Sequence, residues 1–308
     1  MIKKFSSDTS IVFFGTPQFA VWTLDALEKG GIVPDIVVTA PDKPQGRGLL
    51  IQPSPVKVWA TERDIPVLEP LSLKTKSSSD PSGQTSGFSQ EDEAMDLLLN
   101  SEWDLFIVAA YGKLIPKELI NLPRKGTINV HPSLLPKFRG ASPIPSQILA
   151  DEKNIGVSIM LIDEKMDHGP LLAQASVTPE EWPLKSSLLE EMLATIGGEL
   201  LAETCPPWLD ETISPEAQNH DLATFTAKIE KADGEISLTD DGYKNYLKYC
   251  AYDVWPGTFF FVEKAGKKMR VKITDAEYSN GVFTPLLVIP EGKKEIDYKK
   301  FIHSTTAS

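Results

Sequence analysis

Short, nearly unbroken apolar runs take turns with helix-patterned segments through the front of this chain, and that alternation limits its possible folds more than any other feature. The runs are Ile11 to Phe14, Ile36 to Thr39, Leu105 to Ala109, Thr127 to Val130 and Val157 to Ile162. Runs without polar alternation suit strands covered on both faces. Between them, Phe19 to Leu27, Val56 to Glu62, Ala94 to Asn100 and Leu188 to Leu201 carry apolar side chains at helical spacing. Strands and helices in turn predict an α/β fold: a doubly wound, mainly parallel sheet, Rossmann-like in type, with ligands at the carboxyl ends of its strands.

Two segments break the pattern. Residues 74–92 are rich in Ser, Gly and Asp and nearly lack aliphatic side chains, which predicts a mobile surface loop. Residues 204–221 carry Pro206, Pro207 and Pro215 with little periodicity and read as an extended linker. Beyond it the grammar changes to one helix, Asp240 to Cys250, and then three strands, Thr258 to Val262, Met269 to Ala276 and Val282 to Ile289, separated by Gly and Asn-Gly turns. The expected division is therefore a catalytic domain over 1–203, a linker over 204–221 and a small antiparallel β-barrel of OB-like type over 222–308. Trp255-Pro256-Gly257 is expected to be a packing anchor where that barrel begins rather than a base-stacking surface.

With 308 residues, 41% of them hydrophobic, the chain can bury two cores. Cys205 and Cys250 are too few for a disulfide framework or a cysteine zinc site, so a reducing, cytoplasmic setting is expected. The first apolar run stops at Gly15 and Pro17, short of the roughly 18 residues of a membrane span. A net charge of -12 argues against a nonspecific polyanion binder. The acidic excess lies ahead of residue 222, however, and Lys264, Lys267, Lys268, Arg270 and Lys272 form a local basic stripe behind it. Phe14-Gly15-Thr16-Pro17 lacks the G-x-G-x-x-G of a dinucleotide loop, and His168 has no second histidine at ligand spacing. Neither a nicotinamide nor a metal is expected. His220 and His303 fall in the linker and tail and read as inert.

The segment with chemistry in it is NVHPSLLPKFRGASPI, Asn129 to Ile144. A strand ending here delivers Asn129 and His131, two apart, to one face at its carboxyl end. The rigid loop behind them, with Pro132, Pro136, Pro143 and Gly140, has no obvious core role. After the next strand comes an acidic turn with Asp163, Glu164 and Asp167, closed by Gly169-Pro170. An amide donor thus sits beside an imidazole at the ligand edge, with a group of carboxylates one strand further on.

Asn129-Val-His131, Ser133-Leu-Leu-Pro136, Arg139-Gly140 and Asp167 ahead of a Gly-Pro resemble the signature of the folate-dependent formyltransferases. That resemblance implies 10-formyltetrahydrofolate as formyl donor and a catalytic set of Asn129, His131 and Asp167, the carboxylate favouring an imidazolium. It also implies contacts to the folate or the acceptor end from Phe14, Gly15, Thr16, Tyr111, Gly112, Ser133, Leu134, Leu135, Pro136, Arg139 and Gly140. Residues 40–57, with Lys43, Arg47 and Lys57, are similar to the branch of the family whose acceptor is initiator methionyl-tRNA, as are Trp255-Pro256-Gly257 and Ile289 to Lys294. The resemblance then implies tRNA contacts from Lys43, Arg47, Lys267, Lys268 and Arg270, and a monomer. An amino sugar or other small amine is the alternative acceptor, and a noncatalytic binding protein on the same scaffold is the reading that the three-residue set disfavours.

Overall fold

A computed structural model describes residues 9–45, 49–73, 90–264 and 266–306. Arg47 and residues 74–89, the bulk of the expected surface loop, lie outside the described residues. In chain order the front half comprises β1 (Ile11–Gly15), α1 (Gln18–Lys29), β2 (Ile36–Val38), β3 (Lys43–Gln45), β4 (Leu50–Gln52), α2 (Pro55–Thr61), β5 (Val67–Leu68), α3 (Gln90–Leu99), β6 (Leu105–Ala109), α4 (Lys117–Ile120) and β7 (Thr127–His131). There follow β8 (Arg139–Gly140), α5 (Pro143–Leu149), β9 (Ile155–Leu161), β10 (Leu171–Val177), α6 (Ser186–Leu209), β11 (Phe225–Thr226), α7 (Gly242–Ala251), β12 (Phe259–Lys264), β13 (Lys267–Ser279), β14 (Val282–Pro290), β15 (Ile296–Asp297) and α8 (Tyr298–Thr306). They form two compact units, the first from 1–139, 156–176 and 191–223, the second from 140–155, 177–190 and 224–308.

The first unit holds most of a seven-stranded sheet ordered β10-β9-β7-β6-β1-β2-β5. β1 pairs in parallel with β2 and β6, and β6 with β7, whereas β7 and β9 are antiparallel. The mainly parallel α/β sheet read from the sequence is thus present. Every residue of β1 and β6 is buried, as expected of strands covered on both faces. α2 starts where Ser54 Oγ accepts from Lys57 N at 3.1 Å, with Pro55 supplying a helical φ at the first position. α6 lies unusually close to its neighbours because it carries Gly197-Gly198. A Cβ on Gly197 would stand 2.6 Å from Val130 Cγ1 of β7, and one on Gly198 would strike the Thr23 carbonyl of α1. The strand that bears Asn129 and His131 is therefore packed without slack.

The end of α6 departs from the sequence reading. It continues through Cys205, Pro206 and Pro207 to Leu209, where an extended segment was expected. Buried Leu201, Thr204 and Cys205 hold it, and Trp208 Nε1 donates to the Lys125 carbonyl at 3.0 Å. Tertiary packing here outweighs the missing proline N–H groups. Further on, Glu216 bridges to Leu171 through reciprocal backbone hydrogen bonds, so residues around 216–218 extend the sheet edge rather than run free.

In the second unit β12, β13, β14 and β15 form a four-stranded antiparallel sheet, the small antiparallel β region expected of the tail. α7 is capped by Asp241, whose side chain accepts from Lys244 N at 2.9 Å. Asp151 receives Tyr243 OH at 2.8 Å and Trp182 Nε1 at 2.7 Å. Trp255, expected to anchor this unit, is 55% exposed, and the buried members of its motif are Pro256 and Gly257. Among the described residues no helix is long and apolar enough to cross a membrane.

Candidate active site

The parallel order brings the carboxyl ends of β1, β6 and β7 to one edge. Gly15 pairs with Ala109, and Val108 with Asn129. Thr16 ties the edge together: its hydroxyl donates to the Tyr111 carbonyl at 3.2 Å and accepts from Ala40 N at 3.3 Å. Phe14 and Tyr111, both expected to touch substrate, instead turn their rings into the core, 5.6 Å apart edge to face. At that edge Thr16 is half-buried, and Gly112, with φ +75, is exposed. Among the described residues the buried Tyr111 hydroxyl has no hydrogen-bond partner, and burial pushes its pKa up.

Asn129 and His131 share a face of β7, Asn129 half-buried and His131 almost fully buried. Behind His131 the loop folds back, and its Nε2 lies 3.0 Å from the Phe138 carbonyl. A carbonyl only accepts, so Nε2 must carry the hydrogen. The basic nitrogen is then Nδ1, and Nδ1 faces Asp167 Oδ1 at 3.7 Å. Burial lowers the His131 pKa below the ordinary histidine value, more than Asp167 raises it. Asp167, read from the sequence as favouring an imidazolium, acts in that direction, and burial of the ring acts against it. A proton that the ring accepts arrives on the nitrogen next to the carboxylate.

The His131 loop is held by hydrogen bonds that leave no slack. Ser158 Oγ, on β9, donates to the Ser133 carbonyl at 2.7 Å and accepts from Leu135 N at 3.0 Å and Gln174 Nε2 at 2.8 Å. Ser133 Oγ donates to the Lys137 carbonyl at 2.7 Å. Ser133 and Leu135 are buried, and their visible work is to hold the loop, while Leu134 and Pro136 are half-buried. Arg139 is also buried and faces inward: its Nε and Nη2 donate to Gln218 Oε1 at 3.2 and 2.6 Å, and Nη2 also meets His220 Nδ1 at 2.9 Å. Gly140, in the second unit, has φ +115, and a Cβ there would crowd the Thr226 carbonyl at 2.5 Å.

Gln218 and His220, which the sequence reading left out of the site, join it. Gln218 Nε2 donates to the Asp167 and Gly169 carbonyls. His220, read as inert, stacks on His168 with ring centroids 4.0 Å apart, and His168 Nδ1 lies 2.7 Å from Asp163 Oδ2. Their only sequence signal was a pair of polar residues two apart, Gln218 and His220, in a segment that reads as linker. Gly169 is required by contact: a Cβ would run into the Leu161 carbonyl. Among the described residues no cluster of three or more His, Cys, Asp or Glu is arranged to hold a metal.

The basic residues fall in three places. Lys43 is exposed on the β3–β4 hairpin, whose other strand carries exposed Leu50 and Ile51. Lys57 is matched by Asp42 at 2.8 Å and Glu69 at 2.9 Å, so its charge is already engaged. On β13, alternation puts Lys268 and Arg270 on one face and Lys267 on the other. Lys268 Nζ sits 3.9 Å from the Phe261 ring and the Arg270 guanidinium 3.8 Å from that of Phe259, both rings on β12.

Residues 9–203 match the family described as formyl transferase. A methionyl-tRNA formyltransferase of Methylococcus capsulatus is 34% identical over 315 residues, covering 96% of each chain. One of Myxococcus xanthus is 37% identical over 290 residues, covering 93% of this chain and 85% of its own. An N-formyltransferase of Helicobacter canadensis, solved with folinic acid and dTDP-3-aminofucose, shares the fold with a TM-score of 0.58 at 16% identity, covering 94% of this chain and 98% of its own. With the Asn129–His131 strand end, the Asp167 turn and a sheet of this order all inside the matched span, the chain belongs to the formyl transferase family.

Proposed function

We propose that this chain is a methionyl-tRNA formyltransferase, carrying the formyl group of 10-formyltetrahydrofolate to the amino group of initiator methionyl-tRNA. The observation that carries the chemistry is the buried His131, its Nε2 hydrogen committed to Phe138 and its basic Nδ1 facing Asp167. Among the described residues no hydrogen bond engages the Asn129 carboxamide, which leaves it available to a ligand. The amine nitrogen attacks the formyl carbon, and the carbonyl becomes an oxyanion that the Asn129 N–H group stabilises. His131 Nδ1 takes the proton that the amine sheds, with Asp167 offsetting the new charge. As the bond from the formyl carbon to the folate nitrogen breaks, that proton passes to the departing nitrogen, leaving tetrahydrofolate and a formylated amine.

The choice of acceptor rests on relatives named methionyl-tRNA formyltransferase that align with nearly the whole chain, the tail included. On this reading residues 1–203 form the catalytic domain and 222–308 a tRNA-binding domain. Lys43 and Arg47 meet the acceptor end, and Lys267, Lys268 and Arg270 the phosphates. The enzyme is then a cytoplasmic monomer that needs no metal. The test is to supply 10-formyltetrahydrofolate with methionyl-tRNA or with amino-sugar nucleotides and follow tetrahydrofolate release. Turnover with methionyl-tRNA is expected; turnover confined to the sugar nucleotides would reassign the acceptor and keep the reaction.

A further inference from the structure

The two halves of the candidate site come from different stretches of chain, and one side chain ties them together. Asp167 sits in the left-handed region, φ 49, which a residue with a Cβ occupies only at some cost. Its turn runs on through Gly169 against the end of β9. Gln218 reaches this turn from the segment that Glu216 adds to the edge of β10. All four bonding positions of its carboxamide are used: Nε2 donates to the Asp167 carbonyl at 3.0 Å and the Gly169 carbonyl at 2.7 Å, while Oε1 accepts from Arg139 Nε at 3.2 Å and Nη2 at 2.6 Å. Arg139 directly follows Phe138, whose carbonyl fixes the His131 ring. The amide is only 5% exposed, so water does not readily replace these bonds.

We propose that Gln218 is a positioning residue for the transfer reaction, a buried amide that joins the His131 loop to the Asp167 turn and so sets the distance from imidazole to carboxylate. The side chain is specific to the task. A carboxylate here would present two acceptors to the Asp167 and Gly169 carbonyls, and an apolar residue would leave those carbonyls and the Arg139 guanidinium unsatisfied. Without the tie, the turn leaves its left-handed conformation, Asp167 moves away and its attraction for a proton on Nδ1 weakens with distance.

This inference rests on the catalytic reading of His131 and Asp167 given above, and the test separates the two. Full-length wild type, Gln218→Met, Asp167→Asn and the double variant are compared for kcat/KM against pH, with the His131 ring titrated by NMR and melting followed in parallel. With only 4 histidines in the chain, His131 is readily assigned. Gln218→Met is expected to lose ~10- to 100-fold in kcat with KM for folate little changed. It should also lower the His131 pKa in the same direction as Asp167→Asn, with no further lowering in the double variant. A slow Gln218→Met enzyme whose His131 titrates as in wild type overturns the proposal, as does a lowering that adds to that of Asp167→Asn. Gln218→Glu keeps the volume and the acceptors for Arg139 while losing both N–H groups; should Gln218→Met fail to fold, a wild-type rate in Gln218→Glu overturns the proposal and a loss of rate with an intact fold supports it. If Asp167→Asn leaves both rate and His131 titration unchanged, the catalytic reading fails instead.

Discussion

At the scale of single residues, His131 is where burial and charge attraction compete, and burial prevails. Its folded pKa lies below the ordinary value near 6.5, which at neutral pH favours the neutral ring that the proposed mechanism uses. Activity should fall on the acid side with a midpoint below that value. Asp167→Asn removes the group that raises the His131 pKa, so the acid limb should move to still lower pH while the plateau rate drops; a pH–rate profile of both enzymes checks the direction. Stability follows the same sign. Above the ordinary histidine value the group has no effect, and as pH falls below it the unfolded chain binds a proton that the native ring refuses. Replacing His131 with Gln should accordingly flatten the acid-side decline in melting temperature. Asn129→Ala should cost about 2 to 4 kcal/mol of transition-state stabilisation, the scale of one oxyanion donor, with folding intact. Steady-state kinetics with a melting curve would show it, and near-normal turnover would remove Asn129 from the site.

At the scale of elements, geometry sorts residues that look equivalent in the sequence. Lys267, Lys268, Arg270 and Lys272 read as part of one stripe, but a strand alternates: Lys267 faces away from the other three, and of those Lys268 and Arg270 lie over the Phe261 and Phe259 rings. The rings hold those two cations in place, which lowers the cost of ordering them on a phosphate backbone. Lys268→Ala with Arg270→Ala should raise KM for methionyl-tRNA severalfold and leave folate affinity alone, while Lys267→Ala should do little. Equal effects from the two variants would mean that summed charge matters more than the face of the strand. The Asp167 turn gives a second case. Gly169 has no room for a Cβ beside the Leu161 carbonyl, so Gly169→Ala should lower stability by about 1 to 3 kcal/mol and slow turnover as the turn is displaced. Calorimetry and initial rates together test this.

At the scale of the whole molecule, a net charge of -12 means that attraction to tRNA has to be local. The salt dependence of methionyl-tRNA affinity should be shallow, and loss of Lys268 and Arg270 should reduce its slope by about 1.5 to 2, as for two lost phosphate contacts. A salt series of KM for wild type and the double variant measures it. The sequence by itself determined the α/β architecture, because near-continuous apolar runs such as Leu105 to Ala109 have no stable place except a strand covered on both faces. It also pointed to the candidate centre, since Asn129 and His131 lie two apart at one strand end and so share a face. Other features depended on residues far apart in the chain. The helix through Pro206 and Pro207 exists because Leu201, Thr204 and Cys205 are buried and Trp208 finds the Lys125 carbonyl. Phe14 and Tyr111 became core because their rings pack edge to face, and the lowered His131 pKa follows from its burial. Gln218 was invisible as a site residue because its meaning lies in partners about 50 to 80 positions away, Asp167 and Arg139, which only the folded sheet edge brings within hydrogen-bonding reach.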